Sequence, residues 1–338
     1  MSSTPDSPTQ KPDATLDREL RPSSWDEYIG QKQTKENLKV LLDAARERNH
    51  APEHLLFYGP PGLGKTTLAH LIAKTVGATL RPTSGPAIEK VGDLASILTN
   101  LAPGDILFID EIHRLSSAVE EVLYPAMESG VLDIVIGKGP SARSIQLELP
   151  PFTLIAATTR VAEISSPLRS RFSGGVHRLE FYAPEEIAKI VSRSAGILGV
   201  ELAPESAAAI AARSRATPRT ANYLLKRCRD VAQLGRCELS PAVVDETLLM
   251  LEVDQLGLGK ADRAVLSAIA DKYAGGPVGL GTLAAALGEE QSTIEEFHEP
   301  YLMQLGLIER TPRGRVLTAA AFRHLGKNPP PNLLDKLS

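Results

Sequence analysis

The sequence has few of the residues that a base-stacking surface, a disulfide framework or a membrane span requires. Aromatic residues make up only 4% of its 338 residues, which argues against a protein that stacks single-stranded bases. The two cysteines have no metal-ligand companions, so they indicate a reducing compartment and thiols that are simply packed. We find no apolar run long enough to cross a membrane and no signal-peptide order at the N-terminus. These absences predict a cytoplasmic protein.

An excess of charge of either sign is also lacking. The chain has 37 basic and 41 acidic residues, a formal net charge of -4, and a pI near 6.0. A molecule of this charge is not a general polyanion binder, so any contact with nucleic acid requires a local basic patch. The length allows two or three domains, each with its own core.

One glycine-rich stretch is typical of a phosphate-binding loop. Residues 59–66 read GPPGLGKT, after the apolar run at 54–58 and before apolar residues at helical spacing in 68–74. Gly62 and Gly64 would let the backbone N–H groups point inward, and the following helix start would add further donors. The full pattern in a strand-to-helix turn is far more specific than an ordinary Gly/Pro turn.

The same pattern predicts ATP and Mg²⁺ as cofactors. Lys65 would reach the outer phosphates, and the Thr66 hydroxyl would bind the magnesium ion. Residues 105–111, DILFIDE, then read as an apolar strand that ends in Asp110 and Glu111, which a parallel sheet would bring to its ligand edge. We assign Asp110 to the metal and Glu111 to the attacking water. Acids are also common turn residues, so this assignment depends on the loop upstream.

Three further segments have both a functional and a purely structural interpretation. Tyr28 and Ile29 either pack in an entry arm or cover a nucleotide base, and the hydroxyls at 158–159 either cap a turn or reach the terminal phosphate. Arg169 and Arg171 either form surface ion pairs or reach a phosphate on a neighbouring subunit.

A hairpin is predicted around a Gly/Pro turn within residues 131–149. Ile134 and Ile136 alternate with Asp133 and Val135, so one face is strongly apolar. That face either packs within the molecule or binds another protein.

The pattern of predicted elements changes twice in the C-terminal half. Residues 184–253 read as four helices, and Arg219 at the start of the third either clamps a phosphate or is solvated. Residues 262–304 then read as three helices, followed by a hairpin at 307–318 that turns at Arg313-Gly314, which suggests a winged helix.

Charge indicates which part of that winged helix would face DNA. The third helix and its lead-in have five glutamates and no Lys or Arg, whereas residues 307–327 have five basic residues and one acidic residue, a net +4. We therefore expect the hairpin, or wing, to contact the phosphate backbone without sequence preference. A solvated basic hairpin is the structural alternative. The basic wing residues are Arg310, Arg313 and Arg315.

Taken together, these motifs resemble the RuvB family of AAA+ ATPases, the bacterial motors of Holliday-junction branch migration. The resemblance covers about residues 20–330, and its most specific stretches are 27–31, 59–67, 110–115, 178–182 and 310–315. It implies an α/β fold: an AAA+ P-loop ATPase domain with a parallel sheet, then a small all-α lid domain and a C-terminal winged-helix domain. The expected boundaries are a disordered tail at 1–19, the ATPase domain at 20–182, the lid at 183–253 and the winged helix at 256–338.

The resemblance also implies residue roles. Thr159 would sense the terminal phosphate, Arg171 would act as a finger in the neighbour's site, and Arg219 would be the lid arginine. Arg310 and Arg315 would contact DNA. The residues expected to border the bound nucleotide are Leu20, Arg21, Tyr28, Ile29, Gly62, Gly64, Lys65, Thr66, Thr67, Tyr182 and Arg219.

On this resemblance the chain would be an ATP hydrolase coupled to DNA translocation, working as a homohexameric ring on duplex DNA and Holliday junctions. Its hairpin at 131–149 would dock onto RuvA, with RuvC joining in a resolvasome, in recombination, DNA repair and the SOS response. The rival hypotheses are a winged-helix regulator that uses ATP as a switch without translocation, and a remodeller similar to clamp loaders. A regulator should prefer certain DNA sequences, whereas a motor should not.

The sequence departs from the family pattern at three places. Ser129-Gly130 replaces an acid and an aromatic residue, so a nucleotide contact from that corner is in doubt. The turn at 173–175 is one residue looser, and Ala216 stands where a glycine is common.

Overall fold

The computed structural model describes residue 16, residues 18–136 and residues 143–331. The predicted tail at 1–15 and residue 17, the hairpin tip at 137–142 and the C-terminal residues 332–338 lie outside the described residues. So do the side chains of 134–136 and 143–144, on which the predicted apolar face of the hairpin partly depends. Leu16, Arg18 and Glu19, at the end of the predicted tail, are helical.

A five-stranded parallel sheet forms the centre of the N-terminal region, in the order β2-β3-β6-β1-β7. Leu56 and Phe57 are both fully buried but belong to different core clusters, because successive side chains of a strand point to opposite faces. Helices cover both faces, which explains why β1, β3 and β6 read as continuous apolar runs. The strands are β1 (Leu55–Tyr58), β2 (Leu80–Ser84), β3 (Ile106–Asp110), β6 (Thr153–Thr158) and β7 (Val176–Arg178).

The helices of this region and the predicted hairpin complete the N-terminal unit. The hairpin strands β4 and β5 pair with each other outside the main sheet, and Ile145 and Leu147 on β5 are exposed. The helices are α1 (Lys32–Glu47), α2 (Lys65–Val76), α3 (Val91–Thr99), α4 (Ser117–Ser129) and α5 (Ser166–Arg169), and the hairpin strands are β4 (Val131–Ile136) and β5 (Arg143–Glu148).

Four helices follow the sheet, as the sequence predicts. Thr217 caps the third of them by accepting a hydrogen bond from the Thr220 backbone N–H, and Pro218 occupies the first helical position. The helices are α6 (Pro184–Ile197), α7 (Pro204–Ala212), α8 (Pro218–Gly235) and α9 (Pro241–Met250).

The C-terminal unit has the predicted helices and hairpin, with two differences. A π-helical turn, Ile294–His298, interrupts the third predicted helix. The predicted hairpin turn is wrong by one residue, since Thr311 pairs with Gly314 and the turn is Pro312-Arg313. Gly314 belongs to the second strand, where a Cβ atom would lie 2.4 Å from the Val278 carbonyl oxygen. The elements are α10 (Lys260–Lys272), α11 (Leu280–Leu287), α12 (Gln291–Thr293), α13 (Glu299–Gln304), β8 (Ile308–Thr311), β9 (Gly314–Leu317) and α14 (Ala319–His324).

Two expectations from the composition, on membrane-spanning helices and on the cysteines, can be examined in the part of the chain that the structure describes. No helix there is long and apolar enough to span a membrane. Cys228 is buried, whereas Cys237 is exposed, so the expectation that both thiols are simply packed is wrong for Cys237.

Candidate functional site

The sheet brings three predicted site segments to one edge. Tyr58, the last residue of β1, pairs with Thr158 at the end of β6, and Ile109 near the end of β3 pairs with Ala156 of β6. All three strands are parallel, so the segments that follow them leave the sheet side by side. The carboxyl edge of an open parallel sheet is where such folds bind ligands.

The glycines of the phosphate loop are required by its backbone shape. Gly62 and Gly64 have φ values of 84° and 98°, in the left-handed region that other residues rarely adopt. A Cβ atom on Gly64 would also lie 3.2 Å from the Tyr28 hydroxyl. The loop therefore needs glycine both to turn and to let a tyrosine approach.

Lys65 is buried under this loop. Its Nζ donates hydrogen bonds to the carbonyl oxygens of Gly59 at 2.8 Å and Pro60 at 3.0 Å. Burial lowers the pKa of Lys65 to about 8, although Asp110 and Glu111 act to raise it. The ammonium group is therefore poorly solvated and would gain by meeting an anion.

We expect nucleotide affinity to fall as the pH rises above about 8. Lys65 of the free protein loses its proton there, whereas a bound phosphate would restore it, so binding takes up a proton. The Kd for ADP should then rise by up to about tenfold per pH unit. Titrations of ADP between about pH 7 and 9.5 measure this, and Lys65→Ala should show no such slope. A flat profile for the wild type would contradict the role given to Lys65.

A cavity of 460 Å³ opens beside the loop. Tyr28 and Tyr182 form an apolar wall, their hydroxyl oxygens lie 3.4 Å apart, and Tyr182 donates to the Leu63 carbonyl oxygen at 3.2 Å. Burial raises the pKa of Tyr182 to about 12, so its hydroxyl stays neutral. The sequence-predicted residues that line the cavity are Leu20, Arg21, Tyr28, Ile29, Gly62, Gly64, Lys65, Thr66, Thr67, Asp110, Glu111, Tyr182 and Arg219.

Sequence reasoning missed several lining residues, among them three that lie on one face of α8. Asn222, Tyr223 and Lys226 line the cavity together with Arg219. Their spacing of three and four residues places them on one helix face, a signal that the sequence already contained. Arg193 also lines the cavity and donates to the Leu20 carbonyl oxygen at 2.9 Å.

The acid pair at the end of β3 is held in a fixed geometry. The Asp110 carboxylate accepts a hydrogen bond from the Glu111 backbone N–H at 3.0 Å, and Glu111 has a φ of 50°. The His113 Nδ1 atom lies 3.3 Å from the Glu111 carboxylate and 2.9 Å from the Thr158 hydroxyl. The sequence pattern did not assign His113 to the site.

The two hydroxyls after β6 take different roles. Thr158 accepts a hydrogen bond from the Arg160 backbone N–H at 2.9 Å, so its side chain caps the turn. The Thr159 hydroxyl instead lies 3.3 Å from the Glu111 carboxylate. Thr159 is therefore the hydroxyl that reaches the acid pair.

The cavity suits a magnesium nucleotide. The Thr66 hydroxyl and the Asp110 carboxylate line it together, and both supply the oxygen ligands that Mg²⁺ prefers. Within residues 18–136 and 143–331 no three His, Cys, Asp or Glu side chains cluster as a metal site. Magnesium held by one or two protein oxygens and the substrate phosphates needs no such cluster.

Arg171 does not line the cavity of its own chain. Its guanidinium lies over the Tyr124 ring at 4.4 Å, and Nη2 is 3.1 Å from the Glu128 carboxylate. Nη1 donates to the Pro167 carbonyl oxygen. The geometry fixes Arg171 at a separate surface, while its neighbour Arg169 is exposed.

The wing arginines are less free than the sequence suggests. Arg310 Nε lies 2.7 Å from one oxygen of the Glu299 carboxylate, and Arg315 Nε lies 2.5 Å from the other. Glu299 is fully buried, whereas Arg313 at the hairpin turn is exposed. The count of net +4 therefore overstates the free charge, because one buried acid holds two of the arginines.

The departure at Ala216 has a visible backbone consequence. Arg215 and Ala216 have φ values of 54° and 53°, both in the left-handed region. A glycine adopts this conformation without the steric cost that alanine bears.

Comparisons with known proteins place all three units in one family. Family models match residues 20–179 as the Holliday junction DNA helicase RuvB P-loop domain, 182–254 as the RuvB AAA lid domain and 255–326 as the RuvB C-terminal winged helix domain. The chain is 55% identical over its full length to the Holliday junction branch migration complex subunit RuvB of Paramagnetospirillum magneticum, and covers 97% of that protein.

Solved structures agree with this placement. The Thermotoga maritima RuvB Holliday junction branch migration motor is 46% identical, with a TM-score of 0.85, and the match covers 92% of this chain and 100% of that one. A variant of the Thermotoga maritima protein gives a TM-score of 0.86 at the same identity, covering 92% of this chain and 99% of that one. The P-loop domain, the lid and the winged helix all match in chain order, and the chain belongs to the RuvB family.

Proposed function

We propose that this protein is an ATP-driven motor that moves Holliday junctions by branch migration. The phosphate loop, both acids and the lid arginine line one cavity, and the same chain also has a winged helix. This combination is the main support for the proposal. The full-length similarity to branch migration proteins supports it.

The placement of the polar groups supports hydrolysis. The Glu111 carboxylate orients the attacking water and accepts its proton, and the Thr159 hydroxyl, 3.3 Å away, contacts the terminal phosphate or that water. Lys65 and Arg219 face the phosphates from the loop and the lid. Magnesium, held by Thr66 and Asp110, would neutralise phosphate charge.

The motor is proposed to act as a homohexameric ring. Arg171 lies outside its own chain's cavity and is fixed by Tyr124 and Glu128, which suits a finger that enters the neighbour's site. Each site would then be complete only at a boundary between subunits.

The wing is proposed to contact the duplex backbone. Arg313 is exposed, and Arg310 keeps 42% of its side chain accessible while Glu299 orients it. The hairpin formed by β4 and β5 is proposed to dock onto RuvA, because Ile145 and Leu147 are apolar and exposed. A role with RuvC, in recombination, DNA repair and the SOS response, and a cytoplasmic location belong to the same proposal.

Branch migration of a synthetic four-way junction, with and without RuvA, tests this function. Lys65→Ala should lower ATP hydrolysis by about 10²- to 10³-fold, because it removes a charged donor that stabilises the transferred phosphoryl group. Junction movement should stop with it.

Lys39→Ala is the matched control, since Lys39 is exposed on α1 and does not line the cavity. It should leave both activities intact. If the wild type moved the junction neither with RuvA nor without it, the proposed function would be overturned.

A further inference from the structure

One acid of the winged-helix unit contacts the nucleotide edge of the ATPase sheet. The Glu296 carboxylate accepts a hydrogen bond from the Thr159 hydroxyl at 2.8 Å and forms an ion pair with Arg160. Arg160 also pairs with Glu163 at 2.6 Å, within the ATPase unit. Thr159 thus sits between Glu111 on one side and an acid from a different domain on the other.

The Thr159 hydroxyl cannot serve both carboxylates fully, because it has one proton to donate. The distance to Glu296 is 2.8 Å and the distance to Glu111 is 3.3 Å, so the stronger donation goes to Glu296. To donate to a phosphate oxygen or to the attacking water, the hydroxyl must give up Glu296. A phosphate next to Glu296 would also be repelled by its charge.

Glu296 lies in the π-helical turn, and that turn is fixed on two further sides. The Phe297 carbonyl oxygen accepts a hydrogen bond from Arg215 Nη2 at 2.7 Å, which ties the turn to the lid. His298 Nδ1 lies 2.7 Å from the Asp262 carboxylate inside the winged helix. π-Helical turns within helices are frequent at functional sites.

The next residue along the chain connects the same turn to the wing. Glu299 is fully buried and pairs with both Arg310 and Arg315. Glu296 and Glu299 are three residues apart, so less than one helical turn separates the contact with Thr159 from the pairing with the wing arginines. The acidic helix therefore connects the nucleotide site to the arginines that face DNA.

We propose that Glu296 is a positioning residue which competes with the terminal phosphate of ATP for the Thr159 hydroxyl, and so couples nucleotide state to the wing. The inference rests on the proposed function, in which Thr159 meets that phosphate. ADP has no terminal phosphate and leaves the contact in place, whereas ATP displaces Glu296. Because coupling between two ligands is reciprocal, duplex bound at the wing changes the affinity for ATP.

Affinities for ADP and for a non-hydrolysable ATP analogue test the competition, measured on the full purified chain. Glu296→Ala should bind the analogue about five- to tenfold more tightly than the wild type does, with ADP affinity unchanged. A role in folding alone would move both affinities together. Glu289→Ala removes an exposed acid from the lead-in to the same helix and should change neither affinity.

Duplex provides the second measurement. In the wild type, saturating duplex should change the ratio of analogue affinity to ADP affinity, and in Glu296→Ala that change should be lost. Glu296→Gln keeps the side-chain volume and an acceptor oxygen but loses the ion pair with Arg160, so its affinity ratio should fall between the two. If Glu296→Ala does not fold, as judged by its thermal unfolding, the affinity ratio of Glu296→Gln is the test of the proposal.

The coupling role would be overturned if both variants kept the wild-type ratio of analogue affinity to ADP affinity, including the case in which both affinities change by the same factor. That result differs from failure of the proposed function. A protein in which Glu296 has no such role would still bind both nucleotides and move junctions, whereas a protein that is not a motor would fail the junction assay as wild type.

Discussion

Replacing Arg171 with alanine should lower ATP hydrolysis by about 10³- to 10⁵-fold while leaving nucleotide binding to the mutated subunit nearly intact. The guanidinium does not line its own chain's cavity, so its removal leaves that cavity's lining unchanged. It would instead remove the charge that offsets the developing negative charge on a neighbour's transferred phosphoryl group. Steady-state hydrolysis and nucleotide titrations measure the two effects separately.

Mixed assemblies provide the sharper measurement. Arg171→Ala subunits added to wild type should reduce activity more steeply than their fraction in the mixture, because each impairs a site on another subunit and, in a cooperating ring, an impaired site also slows the remaining sites. Arg169→Ala is the matched control, since Arg169 is an exposed arginine two residues away, and it should have little effect. A loss strictly proportional to the mutant fraction would argue against cooperating subunits.

Replacing Glu111 with glutamine should reduce ATP hydrolysis by about 10²- to 10⁴-fold, the range expected for a group that moves a proton in the reaction. An amide has nearly the same shape as the carboxylate but cannot accept the proton of the attacking water. The hydrogen bond from Thr159 can persist, since the amide oxygen still accepts. ATP should therefore bind and remain unhydrolysed, which single-turnover experiments can follow.

Glu121→Gln makes the same chemical change at an exposed position on α4 and should hydrolyse ATP like the wild type. If Glu111→Gln lost nucleotide binding as severely as hydrolysis, Glu111 would be supporting the site and not activating water. If hydrolysis were unaffected, another group would have to be the base.

The phosphate loop and the elements around it were predictable because their signals are local. A glycine-rich turn between an apolar strand and a helix requires only neighbouring residues, and Gly62 and Gly64 adopt the positive φ values that this turn needs. Four lid helices and the three-helix-plus-hairpin order of the winged helix were predictable for the same reason. The predicted position of the hairpin turn was wrong by one residue. Gly314 pairs with Thr311 and therefore lies in a strand, where the Val278 carbonyl group packs against it.

The contacts that define the site were much less predictable. Tyr28 and Tyr182 are separated by more than 150 positions, yet their hydroxyls meet at 3.4 Å. The charge pattern predicted that the wing and not the acidic third helix contacts DNA, but it did not predict that Glu299 pairs with Arg310 and Arg315. Summed charge contains no information on which opposite charges become paired in the interior.

Residue types and their spacing specified the chemistry available to this protein: a phosphate loop, two acids at the end of one strand, a hydroxyl after another, and a basic wing. Those features depend on residue type and short-range spacing, which the chain order states directly. Folding of the whole chain placed Thr159 between Glu111 and Glu296, and it placed the buried Glu299 against Arg310 and Arg315. Residue order does not specify these contacts, because hydrogen bonds and ion pairs require distances of about 3 Å between side chains and the packing of separate domains sets those distances.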